Sequence, residues 1–245
     1  MNIHDAHFVR PVLTSLFVAS LSMLTACGGG DSGGGSPAKV TMSGTAATGK
    51  ALNGATISFA CSPGSASTTA DANGNYSVAL TGAPPCIITA TTSSITLHSV
   101  SFAGGTFNTT PETDLLLTYL AAQLGTTQGG LIAGFASNTR FPQVLGNSTT
   151  VLNAQSAVVA NLQQQYSLTL SAPAFLTTVF TVGQPGVDSD LVALQKAGAI
   201  DAIGQPDPTA SSLMANAGAA QPLPAPPPPP SSTGGSNPGV GFGAF

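Results

Sequence analysis

The period at which apolar residues recur changes once along this chain, at Gly104 and Gly105. Upstream, from Lys39, short runs alternate apolar with polar residues and are cut by turn residues, the pattern of half-buried strands. Residues 40–43, 55–60, 67–70, 76–80, 86–90 and 95–100 read as strands, with Ala55, Ile57 and Phe59 on one face and Tyr76, Val78 and Leu80 on another. Downstream the spacing approaches that of a helix, about 3.6 residues. Thr110 as N-cap, Pro111 at the first helical position, and Glu112 and Asp114 beside the positive dipole end predict a helix that Gly125 stops. Its buried stripe would be Leu116, Tyr119, Leu120 and Leu124. Further helices are expected over 148–166, 173–180, 191–197 and 209–217, that at 191–197 capped by Asp188, Ser189 and Asp190, while 129–142 carries no readable pattern. The expected fold class is therefore α+β, a small antiparallel β-sandwich over residues 38–103 followed by a small helical bundle over 104–217.

The flanks read differently. Six glycines fall within residues 28–36, so the stretch 27–37 buries no apolar area and is expected to be a flexible tether. At the other end, seven prolines between Pro222 and Pro230 predict an extended polyproline rod inside a disordered tail over 218–245. That tail reads as a linker, or as a ligand for a proline-binding partner or a wall polymer.

Charge narrows the partners. Only 6% of the 245 residues are charged, against about 25% in an ordinary domain, and Lys and Arg total 5 for a net charge of −4. No basic stripe exists to neutralise a run of phosphates, which excludes nucleic acid as a partner.

His4, His7 and Arg10 give a weakly basic start, and residues 11–24 are apolar but for Thr14, Ser15, Ser20 and Ser22. This run is shorter than the roughly 20 residues a spanning helix needs and reads as a signal-peptide core, placing the signal at 1–26. It closes in Leu24, Thr25, Ala26 and Cys27. That string resembles the lipobox of bacterial lipoproteins. The resemblance implies acylation of Cys27, which becomes the new N-terminus, and a membrane anchor through that residue. Gly28 after the cysteine, where Asp would imply inner-membrane retention, implies the outer membrane, with the periplasmic or the cell-surface face left open.

A second resemblance lies in SGTAATGKALNGATISF, TTADANGNYSVAL and CIITAT. Gly44, Gly49, Leu52, Gly54, Ala55, Asp71, Gly74 and Tyr76 fall in order on the pattern of the carboxypeptidase regulatory-like domain, a transthyretin-like β-sandwich. It implies a structural or binding accessory without catalytic residues of its own. The helical half, with NTTPETDLLLTYLAAQLG and VGQPGVDSDL, resembles regions of unassigned function that follow such sandwiches in bacterial lipoproteins.

With Cys27 acylated, Cys61 and Cys86 remain, and an even pair in an exported chain reads as a disulfide that stabilises by roughly 3–4 kcal/mol. Two free thiols at a redox or metal site would want a C-x-x-C spacing and nearby histidines, which are lacking.

Other strings invite chemistry that their surroundings refuse. Gly30, Asp31, Ser32, Gly33 and Gly34 match the nucleophile string of trypsin-like proteases, yet Ser32 lies in the Gly-rich tether with no strand or helix to brace it. Asp71, Asn73 and Asn75 suggest a calcium loop, but Gly74 comes one residue early and no acid closes the loop, so a hairpin turn is the reading. Glu112 and Asp188 are the carboxylates a glycosidase would use, and helix capping explains their positions more simply. Arg140 beside Phe141 reads as a structural contact, and His98 as a surface histidine on the strand face opposite the core.

No catalytic residue, metal ligand or cofactor site is assigned. The expected function is that of a non-catalytic, lipid-anchored envelope lipoprotein binding a glycan or a protein partner. The alternatives are an anchored hydrolase of wall or extracellular polymers, and a structural or assembly factor of the outer membrane.

Overall fold

The structure, a computed structural model, describes residues 39–225. The signal, the tether with Cys27 and Ser32, and residues 226–245 of the tail lie outside the described residues. Among the described residues the chain is mixed α+β, with two sheets and six helices.

The sheets come first in the chain. Strands β1 (Lys39–Thr45), β2 (Thr56–Cys61), β3 (Ser65–Thr69), β4 (Asn75–Thr81), β5 (Cys86–Thr91), β6 (Thr96–Ser101) and β7 (Gly105–Thr106) form one sheet ordered β4-β1-β7 and a second ordered β3-β2-β5-β6. In β2 the burial alternates strictly, with Ile57, Phe59 and Cys61 inward, as the period of two requires. The ring of Phe59 meets that of Tyr76 edge to face at 6.0 Å, joining the inner faces of the two sheets in an arrangement compatible with a β-sandwich. Cys61 and Cys86 stand directly opposite one another in the β2–β5 register and form a disulfide. One expectation needs correction. The strands are not all antiparallel, because β7 runs parallel to β1, pairing Thr106 with Ser43. After Gly104 the chain turns back along β1 and continues as the parallel bridge between Ala46 and Thr109, so the sheet extends past the expected boundary at 103.

Gly44 makes this return possible. A Cβ at that position would stand 2.0 Å from the Phe107 carbonyl oxygen and 2.6 Å from the Tyr76 hydroxyl. The same hydroxyl donates to the Phe107 carbonyl and lies 2.9 Å from Thr109 Oγ1, so the D-x-x-G-x-Y turn and strand pins the segment that enters the first helix.

The helices are α1 (Pro111–Gln123), α2 (Gln128–Gly134), α3 (Arg140–Leu145), α4 (Ser148–Tyr166), α5 (Val187–Ala197) and α6 (Pro208–Ala219). Helix α1 starts as expected, with a reciprocal pair of hydrogen bonds between Thr110 and Thr113, and stops at Leu124 before Gly125 at φ 75°. Its burial exceeds a stripe: ten of its 13 residues are buried, Leu115, Leu116 and Leu117 together, because β6, α2, α4 and α6 pack around it. The approach of α6 is close, since a Cβ at Gly218 would lie 2.3 Å from the Tyr119 carbonyl oxygen.

Further expectations change. Residues 173–180 form turns rather than a helix, held by the buried Asn108, whose Nδ2 donates to the carbonyls of Phe175 and Thr178 at 2.8 Å each. Helix α5 begins at Val187 after Gly186, so Asp188 and Asp190 lie inside its first turn rather than ahead of it. The unread stretch holds α2, capped by Thr127, and α3, both too short to show a period, α2 with three glycines in seven residues besides. At the C-terminal end α6 continues to Ala219, and residues beyond it stay attached rather than disordered: Leu223 N–H donates to the Gln123 carbonyl at 3.0 Å, and Arg140 donates to the carbonyls of Leu223 and Pro224. Arg140 is thus a structural contact.

Gly44→Ala tests the tight return of the chain. Thermal or urea unfolding is expected to show a loss of about 1–3 kcal/mol, the cost of overpacking a site with no room.

Candidate functional site

The carboxylates were the side chains most open to a chemical reading, and the structure shows what each one holds. Asp71 Oδ1 accepts the N–H groups of Asn73 and Asn75 at 2.8 and 2.9 Å, an Asx turn that accounts for the acid at this position. Asp201 does the same for Ile203 and Gln205, and Asp207 caps α6 through Thr209 N–H. Asp190 accepts from Ser171 N–H and Oγ and from Ala172 N–H, at 2.8–3.0 Å, tying the turn region to α5. Among the described residues no three of His, Cys, Asp and Glu come together as a metal site.

His98 is not a free surface residue. Asp114 Oδ1 lies 2.8 Å from both its backbone nitrogen and its Nδ1, and Thr113 Oγ1 donates to its carbonyl at 2.9 Å. β6 is the edge strand of its sheet, and these two side chains from the first turn of α1 satisfy the outward-facing backbone groups at His98. The sequence showed both partners, but their meeting depends on the long-range packing of α1 against β6.

Glu112 and Asp188 are not brought together across an open cleft. Glu112 is wholly buried and neither carboxylate oxygen has a hydrogen-bond partner. Burial pushes its carboxyl well above its ordinary value of 4.5, and the negative charge of Asp190 pushes it in the same direction. Asp188 is also buried, with Oδ2 accepting from Gly183 N–H at 2.8 Å and Oδ1 without a partner.

Asp188 borders an open groove of about 600 Å³. The outer face of α5 forms one wall through Asp188, Val192, Ala193 and Lys196, the loop at Gly183, Gln184 and Pro185 forms the other, and Gly49 of the first sandwich turn closes one side. The VGQPGVDSDL string, prominent in the sequence without an assigned role, therefore builds the rim of this groove. The volume suits a small ligand or a short chain segment.

No protein-family model matches the chain, and no curated protein or solved structure matches it either. Among the described residues no helix is long and apolar enough to cross a membrane.

The Glu112 environment has a pH signature. The folded state holds a proton that the unfolded state releases above about pH 4.5, so this carboxyl's contribution favours folding at low pH and is lost as pH rises. Glu112→Gln is expected to raise the melting temperature at neutral pH and to reduce the fall in stability as pH rises above about 4.5. Parallel stability–pH curves for the two proteins would contradict that.

Proposed function

We propose that this chain is a non-catalytic, lipid-anchored protein of the bacterial outer membrane whose sheet and helix unit binds a glycan or a protein partner. The observation that carries the reading is the Cys61–Cys86 disulfide. Disulfides of this kind belong to exported proteins, and of the chain's three cysteines it leaves Cys27, directly after Leu24, Thr25 and Ala26, as the acyl acceptor. Acyl chains on Cys27, each CH₂ contributing about 0.8 kcal/mol on burial, hold the protein to a bilayer, and the glycines that follow separate it from the surface.

The two sheets and the Asx turn before Tyr76 support the transthyretin-like reading of the first half. A binding rather than a hydrolytic role is supported by the carboxylates themselves, since Asp71, Asp114, Asp190, Asp201 and Asp207 are spent on backbone and side-chain partners within the fold. The groove along α5 is the surface through which binding would act.

Feeding a bacterial host an alkyne-tagged palmitate tests the anchor. The full chain is expected to take up the label and to fractionate with the outer membrane, and Cys27→Ala to abolish both. An unlabelled wild-type protein in the soluble fraction would overturn the reading.

A further inference from the structure

The groove along α5 carries opposite charges at its two ends. Asp188, Val192 and Lys196 follow one another at intervals of four residues and so lie on one face of the helix. The acid at one end and the base at the other are separated by eight residues, about 12 Å of helix. Between them Val192 and Ala193 give the wall a small apolar stretch, with Ser189 beside Asp188 and with Gln184 and Pro185 on the opposite rim. Lys196 is exposed and no carboxylate among the described residues pairs with it. Asp188 keeps Oδ1 without a partner although its side chain is buried. Gln184 and Pro185, the residues that cover this end, lie between Gly183 at φ 82° and Gly186 at φ 113°. Neither glycine has atoms near where a Cβ would stand, so both sides of this rim are open, and a donor group that reaches Oδ1 has to displace Gln184 and Pro185.

We propose that this groove binds a short extended peptide, its amino group against Asp188 and its carboxylate against Lys196. The span of about 12 Å corresponds to three or four extended residues at roughly 3.3–3.6 Å each. The small apolar wall matches alanine-sized side chains. A saccharide fits less well: its apolar ring face packs on flat aromatic side chains, and none lines this groove. The inference rests on the binding role proposed above and chooses the peptide class over the glycan.

The test titrates the isotope-labelled full chain, in detergent micelles, with three probes: tetra-alanine with free ends, the same peptide acetylated and amidated, and cellotetraose. Tetra-alanine is expected to shift the amides of Gly49, Gly183 and Lys196, and blocking its ends to weaken binding. Lys196→Gln, an exposed change that leaves the fold intact, should weaken the free peptide about two- to fivefold and leave the blocked peptide unchanged. Equal affinity of the free and blocked peptides, or no effect of Lys196→Gln, would overturn the dipolar assignment. Shifts at the groove with cellotetraose alone would overturn the peptide class while keeping the binding role. No shift at the groove with any probe would overturn the inference. The anchored, partner-binding reading is decided separately, by palmitate labelling and by crosslinking in intact cells.

Discussion

The docking of α1 against the open edge of β6 is the interaction on which the rest of this structure depends. An edge strand exposes unpaired N–H and C=O groups, and a helix start exposes unpaired N–H groups. Here side chains of the helix start meet the strand's need. Asp114 and Thr113 satisfy the backbone of His98, while Thr110 and Thr113 close the helix start among themselves. With its first turn fixed to the sheet, α1 runs through the middle of the helical part and is covered on nearly every side.

The polar groups buried around this joint are fastened to one another with few exceptions. Asn108 uses Oδ1 on Thr45 N–H and Nδ2 on two carbonyls of the turn region, linking β1, the entry to α1 and residues 175–178. Tyr76 reaches the same entry segment from β4. Gln155 of α4 accepts from Leu176 N–H, so the turns that replace a helix there are held from both sides. Hydrogen bonds of this buried kind add modest stability when made and cost about 1–3 kcal/mol when one partner is lost, so they fix the arrangement more than they strengthen it. Glu112, Ser99, Ser101 and Tyr119 are the exceptions, with buried polar atoms that have no partner, and at Glu112 burial favours the protonated carboxyl.

Much of the layout was legible in the sequence, and the reason differs by element. β2 and β4 were legible because one face of each is buried and the period of two shows through Ile57 and Phe59, or Tyr76 and Leu80. Both long helices were legible from their ends, α1 from Thr110 and Pro111, and α4 from the span 148–166 that it fills. The parallel β7 was hidden because two residues cannot display a period, and α2 and α3 for much the same reason. At 173–180 the apolar residues Phe175 and Leu176 are buried without being helical, since Asn108 and Gln155 take the backbone groups a helix would use. The candidate groove was half visible, as a string with no chemistry attached, because the Gly49 turn that closes one side lies more than a hundred residues earlier in the chain.

If α1 joins sheets and helices as described, the two halves should not unfold apart. The most direct measurement follows thermal unfolding by amide I infrared absorption, which reports the sheets, and by far-ultraviolet circular dichroism, which reports the helices, for the wild-type protein and for Asp114→Ala. The account predicts one coincident transition in each protein, shifted to lower temperature in the variant as the His98 backbone loses its partner. Two separate transitions, or a variant in which the helices melt while the sheets keep their wild-type midpoint, would contradict it.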